Sequence, residues 1–339
     1  MLGPDDCIVE WWHRPVVRGE LAGRSIPASW SLAVAASATE NVRGECTLLT
    51  QKDLTMAYLA FLLLSLASAL ADVTCESCLR VSSNCYNVHH LTNLAADFRS
   101  QIVIRKMAVL DSENTLFYSY EPEIADPEYF KVAYVNLDDP NKYGVLTHDN
   151  NTILNFGTLG IDQERSIVYL GGSDGIFTYG PSKKVMGYSS IGEEILILFF
   201  KDNLYIVKAA ENTIIAKKGD AFVEVLDYTP IKNFVVAKDN VIVFLSTYGM
   251  FLSKKGKTIW LSKNAYFRGL TVDLDGAVYA WWIDGVYKVN IEKDLATSSV
   301  VRVAAMDNVG AITFDNVNNM LFTSGAALYR LTLSNATIC

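Results

Sequence analysis

The sequence predicts an all-β protein folded as a six-bladed β-propeller, and three observations carry that expectation. The first is the grammar of Thr271–Asn290, TVDLDGAVYAWWIDGVYKVN. An alternating apolar run ends in the polar turn Asp273–Gly276. A second run, Ala277–Ile283, ends in Asp284-Gly285, and a third begins at Val286. Asp-Gly between alternating runs marks a hairpin, because glycine accepts the positive φ that tight hairpin turns need. The stretch therefore reads as three antiparallel strands. The second observation is recurrence. LDSENTLFYSYEP from Leu110, IDQERSIVYLGGSDGIFTYG from Ile161, FFKDNLYIVKAAENTIIAKKG from Phe199, AKDNVIVFLSTYGMFLSKKG from Ala237 and FDNVNNMLFTSGAALYRLTL from Phe314 share the pattern. Each places an aromatic early in the run after its turn. With Tyr279, these are Phe117, Tyr169, Tyr205, Phe244 and Phe322, separated by 52, 36, 39, 35 and 43 residues. A period of about 40 with several short strands per unit is that of propeller blades. The third observation is that these units lack the 3.6-spaced apolar stripes that a helical solenoid needs.

Residues 1–55 hold no such repeat and read as a non-native or untranslated leader. Met56–Ala71, MAYLAFLLLSLASALA, is a short apolar core ending in the small-x-small pattern Ala69-Leu70-Ala71. It reads as a signal peptide with translation starting at Met56. At 16 residues it is short for a membrane span, which needs about 20. The mature chain is then Asp72–Cys339, 268 residues, the size of one propeller domain. It keeps 24 Lys and Arg against 30 Asp and Glu, a net charge of −6. Without a basic cluster, this argues against nucleic acid and anionic membrane as partners and for a monomer in solution. Lys183-Lys184, Lys217-Lys218 and Lys254-Lys255 read as solvated hairpin ends.

Residues 72–106 form a cysteine-bearing segment and a closing strand, ahead of the propeller at 107–339. The last unit has only 17 residues after Phe322, too few for four strands. Ser100–Lys106, SQIVIRK, alternates and is the expected donor of the missing strand, removing an open sheet edge. Cys75, Cys78, Cys85 and Cys339 suit two disulfides in an oxidising compartment, with three connectivities open. A bridge from the Cys75–Cys85 segment to Cys339 would join the two ends of the chain and stabilise it by about 2–5 kcal/mol. The sequons at Asn150 and Asn335 offer glycosylation sites. Glu121–Phe130, EPEIADPEYF, lengthens the interval between Phe117 and Tyr169 and reads as an acidic surface loop.

The chemistry of catalysis is thinly represented. Gly171-Gly172-Ser173-Asp174-Gly175 feeds a strand rather than a helix, so a hairpin turn explains it better than a phosphate cradle. His89-His90 are strand neighbours that point in opposite directions, and they are expected outside the regular blade strands. Glu193, Asn233 and Asp307 are the candidate oxygen ligands of a channel metal, such as the gluconolactonase and paraoxonase families hold. Aromatic surface is better represented. Loops expected on the channel face, where the chain enters the innermost strands, carry Tyr248, Tyr266, Phe267, Arg268, Lys232 and Asn308. Trp281 and Trp282, adjacent in a strand, must face opposite sides. Such rings can stack on a flat ligand whose acidic group pairs with Arg268 or Lys232.

The segment from the apolar core through TCESCLRVSSNC, then FRSQIVIRKMAVLDSENTLFYSYE and the repeats, resembles the ommochrome-binding proteins of moths and butterflies. The resemblance covers Met56–Cys339. It implies a secreted haemolymph protein that binds an ommatin-type pigment, a planar tryptophan-derived phenoxazinone, without enzymatic activity or cofactor. It carries over no binding residues. The expectation from the sequence is thus a pigment carrier, with a metal-dependent lactonase-like hydrolase as the alternative.

Overall fold

The computed structural model describes residues 79–95, 102–121, 130–147, 155–209, 211, 213–228 and 230–334. All lie in the compact unit Leu70–Cys339. Among them are 25 strands in six antiparallel sheets, three short 3-10 turns and no α-helix. This is a six-bladed propeller. Blade one is Val103–Leu110, Thr115–Glu121, Lys131–Asn136 and Tyr143–Val145. Blade two begins at Phe156–Asp162, blade three at Ile195–Lys201, blade four at Ile231–Val236, blade five at Gly269–Val272 and blade six at Val309–Phe314. These six first strands contact one another in a ring around a central channel. Each blade continues outward by hairpins. Thr271–Asn290 contributes the three inner strands of blade five, as its turns predict.

Burial falls from the second strand of each blade to the outermost, and the sequence follows it. The second strand of blade one, TLFYSYE, buries six of its seven residues, because sheets pack against both of its faces. The outermost strand of blade three, Ala221–Leu226, buries only Leu226. The six periodic aromatics all lie on the second strands of their blades. From there several reach the next blade. Phe117 meets Tyr179 at 5.8 Å, Tyr169 stacks on Phe200 at 5.3 Å and Tyr279 meets Phe314 at 5.1 Å. Such ring pairs contribute about 0.5–1.5 kcal/mol beyond their buried area.

The closing strand is not Ser100–Lys106. Asn84–Asn93 pairs with Ala327–Leu333, from Tyr86↔Leu333 to Asn93↔Ala327, and Leu79–Val81 adds a fifth strand outside it. The N-terminal hairpin also reaches blade five, where Ser82 N donates to Val303 O at 2.6 Å. The run containing SQIVIRK continues to Leu110 as the innermost strand of blade one. Its buried Ile104, Met107 and Val109 need the axis, whereas the polar NCYNVHHLTN suits the rim. His89 and His90 therefore lie within a blade strand, contrary to expectation. They do point apart: His89 Nε2 is 2.9 Å from Thr332 Oγ1, and His90 packs edge-on against Tyr329 at 5.4 Å. Cys85 is disulfide-bonded. Cys75, Cys78 and Cys339 lie outside the described residues, as do Met56–Ala71, both sequons and most of the acidic stretch after Glu121.

In blades five and six the turns between first and second strands are held by aspartates. Asp273 Oδ1 accepts from Asp275 N and Ala277 N at 3.0 and 2.8 Å. Asp315 Oδ1 accepts from Val317 N and Asn319 N at 3.1 and 2.8 Å. Asp315 is 1% exposed and its Oδ2 lies 2.9 Å from Arg330 Nε, so a buried charge is compensated by an ion pair and backbone donors. Neighbouring turns are laced together. Asn318 Nδ2 donates to Asp275 Oδ2 at 3.1 Å, and Gln163 Nε2 donates to Val109 O at 2.7 Å.

Candidate ligand site

All six inner strands line a channel cavity of about 360 Å³. Its lining includes Asp111, Gln163, Lys201, Lys238 and Asp273, at the ends of those strands where the first turns lie. The sequence had pointed to the opposite face, where loops lead into the inner strands. Parts of those loops, at 96–101, 148–154 and 229, lie outside the described residues.

Trp281 reaches this channel from the second strand of blade five. Its cross-strand partner is Gly269, and a Cβ there would sit 2.3 Å from the indole Cζ2. Only a residue without a side chain leaves the ring room to pass inward. Nε1 donates to Gly310 O at 2.9 Å, so the buried N–H is satisfied by blade six. Trp282 faces the other way, half-buried, and its ring meets Tyr266 at 4.8 Å. The pair thus divides as strand alternation requires.

Of the seven ligand residues expected from the sequence, Trp281 lines the channel cavity and the others do not. Tyr266 and Trp282 are in contact, with Tyr266 71% exposed. Tyr248 is 60% exposed, and its carbonyl accepts from Trp260 Nε1 at 3.1 Å. Phe267 is buried against Tyr287, at 5.2 Å. Arg268 is exposed, with Nη1 donating to Val309 O at 3.4 Å. Lys232 is exposed on the strand Ile231–Val236 rather than in a loop.

The channel holds a residue that the sequence did not single out. Lys106, on the innermost strand of blade one, donates to Leu198 O on the innermost strand of blade three, and its Nζ lies 5.8 Å from the centre of the Phe199 ring. The inner strands of blades two and three approach closely beside it, since a Cβ on Gly160 would meet Leu198 Cδ2 at 2.7 Å. Burial lowers the Lys106 amine to about 7. Asp111, also at the channel, is raised, first by burial and then by the charge of Asp315. Arg105 forms an ion pair with Glu121.

The candidate metal ligands do not assemble. Glu193 pairs with Lys208 at 3.0 Å, and that hydrogen-bonded ammonium holds its carboxyl below the usual range. Asn233 lines the channel from within a strand, while Asp307 is exposed in the turn before Val309. Among the described residues no three His, Cys, Asp or Glu side chains gather to hold a metal. Gly171–Gly175 is a hairpin, with Gly172 paired to Gly175. A second, open groove of about 560 Å³ lies between blades two and three, where Tyr188 meets the stacked Tyr169 edge-on at 5.3 Å.

No protein-family model matches the chain. It is similar to the ommochrome-binding protein of Manduca sexta, with 24% identity over 225 residues, covering 65% of this chain and 80% of that protein. The resemblance read from the sequence is supported by this relative. Among solved structures, the chain is similar to XC5397, a gluconolactonase of Xanthomonas campestris, with a TM-score of 0.57 and 11% identity, covering 76% of this chain and 95% of that one. It is also similar to U3-55K, with a TM-score of 0.50 and 9% identity, covering 75% and 100%. At these identities the two structures speak to the propeller fold alone. Among the described residues no helix is long and apolar enough to cross a membrane.

Proposed function

We propose that the chain is a secreted, non-enzymatic carrier that binds an ommochrome of the ommatin type in haemolymph. The observation that carries this reading is the similarity to an ommochrome-binding protein over 80% of that protein's length. The apolar core Met56–Ala71 supports export, and the four cysteines after it suit an oxidising compartment. The channel supports the choice of ligand. At about 360 Å³ it falls in the range of small-molecule pockets, and its lining joins apolar side chains to charged groups. A flat ring would lie against Met107, Phe199, Leu270 and Trp281. Tyr248, Tyr266, Trp282, Arg268 and Lys232 would serve a ligand approaching from the other face, with Phe267 supporting them from the core. Burial of apolar ring surface supplies the affinity, and a few charged groups fix the orientation.

The test is a titration of the secreted protein with an ommatin-type pigment, followed by its visible absorption. A saturable spectral shift is expected. No shift at tens of micromolar protein, where even a modest carrier is largely occupied, defeats the pigment reading. Chelator-sensitive hydrolysis of a lactone would put a metal-dependent hydrolase in its place.

A further inference from the structure

We infer that Lys106 is the counter-charge of an anion site inside the channel, and that the ligand held there joins an acidic group to a flat apolar body. The inference deepens the carrier reading, on which it rests for the identity of the ligand but not for the existence of the site.

The argument starts from what surrounds the ammonium. Lys106 leaves blade one, and its amine ends at the Leu198 carbonyl of blade three, having passed the inner strand of blade two. That carbonyl uses one of its three donors. The Phe199 ring face, at 5.8 Å, adds a weak electrostatic attraction. Among the described residues no carboxylate forms an ion pair with it. A cation drawn into the channel and held by one carbonyl and one ring is under-compensated for its lost hydration.

The other charged groups around the cavity are partnered or, like Lys238, exposed at its rim. Arg105 is neutralised by Glu121. Lys201 donates to Ala237 O at 2.5 Å. Asp273 holds its own turn through Asp275 N and Ala277 N. Lys238 stands exposed in the turn that follows the inner strand of blade four. Asp111 is pushed toward its neutral form by burial and by Asp315. A ligand carboxylate would supply what Lys106 lacks, while Phe199 and Leu270 take its ring. The amine pulled down to about 7 by burial fits this, since an adjacent anion restores the charged form.

The probe is anthracene-9-carboxylate, with its methyl ester as the uncharged control, titrated by fluorescence into the full-length secreted protein at pH 6.5. The acid is expected to bind wild type about tenfold more tightly than the ester, as one compensated charge inside a cavity allows. Lys106→Met is expected to bring the two within about twofold, and Lys106→Arg to retain most of the preference. A second readout uses wild type alone. The preference should fade between pH 7 and 9 as the amine loses its proton. Equal binding of acid and ester to wild type, or a preference that survives Lys106→Met and rising pH, overturns the anion site. Failure of the carrier reading looks different. An acid preference in a protein that does not bind pigment keeps the site and removes the pigment.

Discussion

Alanine at Gly269 tests how the propeller brings a tryptophan to its channel. Gly269 and Trp281 are cross-strand partners, and the added Cβ would lie 2.3 and 2.4 Å from indole Cζ2 and Cη2. The ring has no room to retreat, being 3% exposed and tied to Gly310 O. Overpacking of a filled core costs about 1–3 kcal/mol, and a rigid indole places this site at the upper end. Trp281→Leu does the opposite. It opens a cavity and frees the Gly310 carbonyl, at about 2–4 kcal/mol, somewhat less than full truncation of a buried tryptophan. In the double variant the alanine methyl enters space the indole has left. The two changes should then fall short of their sum by about 1–3 kcal/mol. Urea unfolding of the four proteins measures this through the midpoints, provided the slope is unchanged. Additivity within about 0.5 kcal/mol would refute the packing argument. So would a neutral Gly269→Ala.

Two further outcomes follow from the geometry and a third from the cysteine pattern of the sequence. Asp315→Ala leaves Arg330 without its buried partner and two backbone N–H groups without their acceptor, so calorimetry should register a loss of about 3–5 kcal/mol; a loss below about 1 kcal/mol would place the ion pair with ordinary surface pairs. The lowered amine of Lys106 imposes a penalty that is complete below about pH 7 and is relieved toward the ordinary lysine value of 10.5, because across that window the unfolded chain binds the extra proton. Wild-type stability should therefore rise relative to Lys106→Met between pH 7 and 9.5, below the range where the phenols of Tyr169, Tyr179 and Tyr279, pushed up to about 12 by burial, act in the opposite sense; a difference independent of pH would contradict the shift. Cys339→Ser should lower the melting temperature if that cysteine bridges the N-terminal segment, by the equivalent of about 2–5 kcal/mol, and an unchanged melting curve would remove the bridge.

The blades were legible because their signals are local. Asp284-Gly285 and Gly172–Gly175 announce hairpins within a few residues. The six aromatics repeat because every second strand needs a large ring between sheets. The closing strand was misread for the converse reason. Asn84–Asn93 lies at the rim, buries little and carries no apolar alternation, while the adjacent SQIVIRK alternates strongly because it belongs at the axis. The site was legible only in part. Trp281 and Trp282 could be assigned to opposite faces from strand alternation alone. That Trp281 reaches the channel depends on Gly269, 12 residues earlier, having no side chain. Lys106 gave no signal at all. Its place follows from a register shift between Ile104 and Lys106 and from a carbonyl 92 residues away on blade three. The first is a bulge within the first hairpin of blade one and the second a product of ring closure.

The central claim, that one flat acidic pigment occupies the channel, meets its most direct test in equilibrium dialysis at pH 6.5. An ommatin-type pigment would be dialysed against wild type, Lys106→Met and Trp281→Leu. The account predicts saturation at one pigment per chain in wild type and weaker binding in both variants. Binding that both variants leave intact would contradict it, as would uptake that never saturates or no uptake at all.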